Sequence, residues 1–454
     1  MHAAASTVSW WGNDFNPSQA SFAQSLAKAA QSTAQLFDES FAEFCTRPDL
    51  PDFDFIGLHG IWSWISDENR SIIVDFIRRK LKVGGVLYIS YNTLPGWAAF
   101  APMRHLLTEH SEVMGARGKG TVNRISDAVE FSERLLALNP TYAKANPQVS
   151  ERINKLKKQN KHYLAHEYFN RDWHPMHFSK LADWLEPAKV QFACSANYLD
   201  HVDAINLTQE QQQFLDEITD PIFKQTTRDF IVNQQFRKDY WVKGIRKNSG
   251  LDQAINIKKV LIVLSTHKEN IKFVAEGSLG EATLNADVYQ PIIDALGDHR
   301  VIAIGDLEKK LGAQVTFAQL LQALMILIGL GHIQPVSANE KIDSVNKTSS
   351  RLNNHLFSSS LSSGDVSFLA SPVTGGGFSL SRFQQIFLYS KNQGKEKPEE
   401  WAKYAWEMLS AQGQKLIKDG RTLETLEDNI EELITRAKEF QEKYIPILKK
   451  LQII

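Results

Sequence analysis

The sequence predicts an α/β protein: a parallel sheet with helices on its faces over about the first hundred residues, then mainly helical modules. Three observations predict it. Short apolar runs alternate with helix-period segments from Val8 to Ser90, and short links between such segments give parallel strands with crossover helices. At 454 residues and 51.4 kDa the chain is too long for one core, so two to four domains are expected. After Trp97 the alternation gives way to a helical pattern that is polar on its outer faces.

The elements follow in order. Val8 to Trp11 reads as a short strand ending in Gly12-Asn13-Asp14. Pro17 sits where a first helical turn accepts it, and Phe22, Leu26 and Ala29-Ala30 continue at helical spacing. Ala34 to Phe37 is a second apolar run, leading into Asp38-Glu39-Ser40-Phe41, and Phe53 to Gly60 is a buried strand entering a turn. Ser66 caps the next helix, with Asp67 and Glu68 in its first turn and Arg78, Arg79 and Lys80 in its last, as the helix dipole favours. Ile72, Ile73, Phe76, Ile77 and Leu81 share one face of it; Gly84-Gly85 then turns the chain into the strand Val86 to Ser90.

Beyond Gly115 to Gly120, a break in the helical stretch, a further compact unit ends in a helix over Phe317 to Ile328 and a strand over His332 to Val336. Ser358 to Ser363 reads as a loop. Pro398 and Thr425 start two late helices, the second burying Ile430, Leu433, Ile434, Ala437 and Phe440. Four segments result: 1–102, an incomplete parallel-sheet domain; 103–243, helical; 244–345, α+β; and 346–454, mainly helical.

Composition excludes several classes. A net charge of −1 provides no basic field for nucleic acid. Cys45 and Cys194 are the only cysteines, too few for a disulfide framework, and a reducing cytoplasm is expected. The N-terminus has no basic region ahead of an apolar core, so no signal peptide is expected. The most apolar stretch, Leu320 to Leu330, contains Gln322 and is too short to span a bilayer. His174 and His177 lack a matching carboxylate, so no metal site is expected.

In an open parallel sheet, ligands bind at the carboxyl ends of the strands. A nucleotide-like cofactor needs a glycine-rich turn there, an acid after the second strand for the ribose hydroxyls, and a polar or acidic group after the third for the base. Asp14 stands where the ribose acid belongs; Asp38, Glu39 and Ser40 stand where the base-binding group belongs; His59 and Gly60 follow the next strand on the same side. Each signal alone is weak, since an Asp after a strand is more often a turn former or cap. Their order and spacing together carry the reading. Trp62 and Trp64 read as core residues rather than an aromatic cage, and Lys155, Lys157, Lys158 and Lys161 as a solvated helix face.

Two longer motifs go further. His59-Gly60-Ile61-Trp62-Ser63-Trp64, and Gly84-Gly85-Val86-Leu87-Tyr88-Ile89-Ser90 continuing into Tyr91-Asn92-Thr93-Leu94-Pro95-Gly96-Trp97, resemble the bacterial S-adenosylmethionine (SAM)-dependent methyltransferases that carry a methyltransferase regulatory domain. Tyr163 to Trp173 resembles that regulatory domain, and Phe368 to Pro372, Gly375 to Gly377 and Gln414 to Gly420 resemble the family's C-terminal region. The resemblance implies a class I (Rossmann-like) methyltransferase sheet, S-adenosyl-L-methionine as cofactor, and a protein substrate methylated on a side chain such as lysine. It also implies that Tyr91 and Asn92 supply the acceptors that relieve the substrate amine of its proton.

The sequence departs from this family in one respect. Family members place a first strand and a Gly-x-Gly loop ahead of the segment equivalent to Val8–Asp14, and the thirteen residues before Asp14 are too few for them. Our expectation is that the natural start lies upstream, the other motifs being intact; the sheet as it stands is expected to lack its first, central strand and to expose two inner edges. A catalytically silent interaction protein is the alternative reading. A winged-helix nucleic-acid binder, suggested by the helix and strand over Phe317–Val336, is opposed by the neutral charge.

Overall fold

A computed structural model of the chain describes all residues except 116, 117 and 119, so those three residues of the Gly115–Gly120 break lie outside the description. The chain divides into two compact units, residues 1–40, 248–275 and 283–454 in one and residues 41–247 and 276–282 in the other. Helix packing groups residues 17–30 with 339–359, and strand pairing groups residues 81–92 with 236–243.

After a short helical turn over His2–Ala5, the first unit continues with β1 (Trp11–Asn13), α1 (Pro17–Ala30) and β2 (Gln35–Phe37). β1 and β2 pair in parallel, with Trp11 opposite Gln35 and Asn13 opposite Phe37. The first strand therefore lies three residues later than the apolar run at Val8 suggested. Gly12 permits this, since a Cβ there would come within 2.9 Å of the Leu36 side chain. Asn16 caps α1 by accepting from the Ser18 N–H, with Pro17 in the first turn as expected.

The second unit is built on a four-stranded sheet. Its members are β3 (Phe53–Leu58), α2 (Asp67–Lys80), β4 (Leu81–Asn92), the helices α3 (Ala101–Val113), α4 (Thr121–Ala137), α5 (Gln148–Lys157), α6 (Lys161–Tyr168) and α7 (Phe178–Leu185), then β5 (Val190–Ser195), α8 (Pro221–Ile231) and β6 (Phe236–Lys243). Strand order is β3-β4-β6-β5. β3 and β4 run parallel, and β6 is antiparallel to both β4 and β5. Ser66 caps α2 through the Asn69 N–H, and α2 buries Ile73, Val74, Phe76 and Ile77. β4 is longer than Val86 to Ser90: it starts at Leu81, passes through Gly84 at φ +83° and reaches Asn92. Leu87, Ile89 and Trp241 of the sheet and Phe178 of α7 are all but completely buried, each contributing about 2 kcal/mol of apolar burial. A second cluster unites Trp97, Phe100, Leu107, Ile125, Val149, Ile153, Leu164 and Tyr168 across α3 to α6.

The first unit resumes with β7 (Leu261–Leu264), β8 (Ile302–Ala303), α9 (Phe317–Gly329) and β9 (Ile333–Pro335). These strands form an antiparallel sheet in the order β8-β7-β9. α10 (Asn339–Ser359), the hairpin β10 (Phe368–Ser371) and β11 (Gly376–Ser379), α11 (Arg382–Asn392), α12 (Pro398–Ala411) and α13 (Leu426–Glu439) follow. α13 runs into a π-helix over Phe440–Tyr444 and then α14 (Ile445–Lys450). The serines expected in a loop are divided: Ser358 and Ser359 finish α10, their hydroxyls bonded back to Asn354 and His355 carbonyls. Leu352, Leu356, Phe387, Trp401, Leu433, Phe440 and Leu448 share one core. Among the described residues no helix is long and apolar enough to cross a membrane.

Candidate functional site

Because β1 and β2 are parallel and in register, the residues following them emerge side by side at one sheet end. Asp14 follows β1, and its N–H bonds to the Phe37 carbonyl (3.1 Å). Its side chain is exposed, with Oδ1 accepting from the Asn16 N–H (2.9 Å). This is the turn that starts α1, and it leaves Oδ2 available for a ligand hydroxyl. Asp38, Glu39 and Ser40 follow β2, the first exposed and the other two half-buried. Asn13, which the sequence reading passed over, ties the two ends together. Its amide donates to the Glu39 carbonyl (2.8 Å) and accepts from the Glu39 N–H (3.0 Å). An Asn ending a strand carries no sequence signal for such a clamp, because its partner lies twenty-six residues away.

His59, Gly60, Tyr91 and Asn92 belong to the other compact unit. β3 and β4 are parallel, with Leu58 opposite Ile89, so the turn after β3 rises beside the last residues of β4. Gly60 holds φ +70°, a conformation open to glycine without strain. Its N–H donates to Ser90 Oγ (2.8 Å), and His59 Nδ1 lies 3.0 Å from the Tyr88 hydroxyl, the two rings stacked. Burial raises the Tyr88 pKa, which keeps the phenol protonated. The structure thus joins His59 and Gly60 through Tyr88 and Ser90, alternate residues that a strand places on one face.

Tyr91 points to the opposite face. It is 1% exposed, and its hydroxyl donates to Asp239 Oδ2 (2.8 Å). Asp239 is bound by Arg237, whose guanidinium also reaches Asp229 Oδ1 (2.6 Å) and Gln225 Oε1 (3.1 Å) and lies 4.4 Å over the Phe178 ring. Burial raises the pKa of Tyr91, and of Asp229 to about 6. Burial works against the Arg237 charge, but the Asp239, Tyr91 and Asp229 oxygens outweigh it and raise the Arg237 pKa. With its hydroxyl enclosed in this network, Tyr91 acts as an anchor between β4 and β6.

Asn92, at the carboxyl end of β4, is 5% exposed, and its Oδ1 accepts from Trp97 Nε1 (3.1 Å). An indole N–H can only donate, so this bond fixes which way the amide faces. Its backbone N–H donates to Ser63 Oγ (2.8 Å), and its carbonyl accepts from the Met176 N–H (3.1 Å). Trp97 is itself clamped: the Arg152 guanidinium of α5 sits 3.9 Å above its ring, and Trp173 meets it edge-on at 5.2 Å. The helical module therefore orients a strand-end side chain. The sequence reading missed Arg152, treating its helix as a solvated basic face.

Comparison with known proteins agrees with this architecture. Residues 160–243 match the family described as "Predicted methyltransferase regulatory domain". The structure of PKMT2 from Rickettsia typhi in complex with AdoHcy superposes with a TM-score of 0.65 at 15% identity, over 98% of this chain and 88% of that one. The fold of PKMT2 is thereby shared. A Rickettsia prowazekii protein, RP789, is 26% identical over 54% of this chain and 44% of its own length. The Synechocystis protein sll1526 is 40% identical over 98% of this chain and 86% of its own length. The chain accordingly belongs to the family of sll1526.

Proposed function

We propose that the protein is a SAM-dependent methyltransferase of the cytoplasm that methylates a protein side chain such as lysine. The observation that carries this reading is the pairing of β1 with β2, which sets Asp14 beside Asp38 and Glu39 at the carboxyl ends of parallel strands. The residues suit the cofactor: an exposed Asp14 oxygen for ribose hydroxyls, and Asp38, Glu39 and Ser40 for the amino edge of an adenine. SAM supplies the electrophilic methyl group when bound. A lysine must be neutral to accept it, and Asn92 Oδ1, holding a second lone pair beyond the one used by Trp97, serves as an acceptor that positions the amine. His59 follows the neighbouring strand β3, and Tyr91 is a positioning residue. The structural neighbour was solved with AdoHcy, the demethylated form of SAM, which supports the cofactor assignment.

Calorimetric titration of SAM tests the site. Asp14→Ala is expected to weaken binding about tenfold, the cost of losing hydrogen bonds to a charged acceptor; unchanged affinity would mean the site is misplaced. A second reading, a silent interaction protein, is favoured by one observation: the pairs β1–β2 and β3–β4 fall in separate sheets. Transfer of labelled methyl from SAM to a protein acceptor excludes that reading, and absence of transfer despite SAM binding favours it.

A further inference from the structure

The carboxyl end of β7 opens onto a cavity of about 200 Å³ that methyl transfer leaves unused. Four separate stretches build its polar lining: Ser265, Thr266, His267 and Asn270 just after β7, Gln334 from β9, Ser379 from β11, and Lys443 with Tyr444 from the π-helix. The π-helix has a local cause. Pro446 has no N–H to offer the Glu442 carbonyl, and its ring crowds that oxygen. The chain responds with one wider turn, in which the Ile445 N–H bonds to the Phe440 carbonyl. That turn carries Lys443 and Tyr444 to the cavity wall, and wide turns of this kind recur at functional sites.

Lys443 is held only loosely there. Its side chain is 20% exposed, yet its contacts are all long: Asn270 Oδ1 and Glu269 Oε2 at 3.4 Å, and Glu439 Oε1 at 3.6 Å. A charge-assisted bond normally closes to about 2.8 Å. Both acids are more than half exposed, so solvent screens their hold on the ammonium. His267 Nδ1 is buried and makes no hydrogen bond among the described residues, with Glu269 Oε2 4.0 Å away. An unpaired polar atom of this kind calls for a partner. The Asn270 amide, whose oxygen faces Lys443, keeps its two donor hydrogens. Among the described residues, Lys443 has no acceptor closer than 3.4 Å, although Glu269 and Glu439 flank it, and His267 Nδ1 has no hydrogen bond.

We propose that this cavity binds a small oxyanion, a carboxylate or phosphate, with Lys443 as its charged partner and His267 and Asn270 as donors. At about 30 Å³ per water-sized group, the space suits a molecule of about six or seven non-hydrogen atoms, an effector rather than a macromolecular substrate. Lactate and inorganic phosphate are titrated into the full chain at fixed ionic strength, with neutral lactamide as the control. Saturable binding of either anion is expected, lactate alone marking a carboxylate site and phosphate alone a phosphate site, with no lactamide binding. Lys443→Met is expected to weaken binding about tenfold, the loss of one charge-assisted bond. Ser379→Leu, which fills the cavity from an exposed lining position, is expected to abolish it without touching the charge. Failure of both anions to bind, lactamide binding as tightly as lactate, or unchanged affinity in a folded Lys443→Met chain would overturn the site. If that variant does not fold, unchanged affinity in Ser379→Leu overturns it.

Discussion

Replacing Asp229 by Asn changes one charge in the buried network that anchors Tyr91, and the size of the effect follows from the structure. Asp229 on α8 is 1% exposed; Oδ1 receives Arg237 Nη1 at 2.6 Å, and Oδ2 has no partner among the described residues. Arg237 also serves Asp239, which is completely buried, so one cation faces two carboxylates. Burial therefore raises the Asp229 pKa from 3.8 to about 6, with Arg237 opposing the rise only in part. A carboxyl whose pKa is raised on folding stabilises the folded state in full below pH 3.8, and that contribution is lost as pH rises through about 6. At about 1.4 kcal/mol per pH unit, the displacement amounts to about 3 kcal/mol. The amide that replaces the carboxyl would keep the Oδ1 acceptor and never ionise. Relative to the parent chain, Asp229→Asn should gain about 3 kcal/mol between about pH 4 and pH 7, on the same scale of pKa linkage. Urea unfolding at intervals across that range, followed by tryptophan fluorescence, reads the difference directly, since Trp241 lies in the same sheet. A stability difference that stays flat with pH, or that moves against the variant as pH rises, would refute the argument, because Arg237 would then be holding Asp229 ionised at little cost.

Two further outcomes follow from the same unit. Trp97→Phe keeps the ring under Arg152 but removes the bond to Asn92 Oδ1; methyl transfer should fall about tenfold, while stability drops by only about 1 kcal/mol. Equal losses in stability and rate would assign Trp97 to packing alone. Cys45 is 2% exposed, and burial pushes its thiol up to about 11. It should resist thiol reagents in the native chain and react only on unfolding; rapid native labelling of Cys45 would contradict its enclosure under α2.

What the sequence determined by itself is local. The Ser66 cap, the face of α2 that carries Ile73, Phe76 and Ile77, and the Pro17 and Pro398 helix starts all depend on neighbours within one or two turns. The tertiary structure decided whatever needed a distant partner. β5 and β6 read as parts of a helical stretch, yet they complete the sheet, because strands so far along the chain from β4 are recognised only by the edge they cover. Tyr91 and Asn92 are adjacent in the chain and looked equivalent, but the pleat sends them to opposite faces, one enclosed by Asp239 and the other held by Trp97. Residue type and spacing say which groups are available for chemistry. Which of them a buried counter-charge has already claimed is settled by the desolvation energy of the folded core.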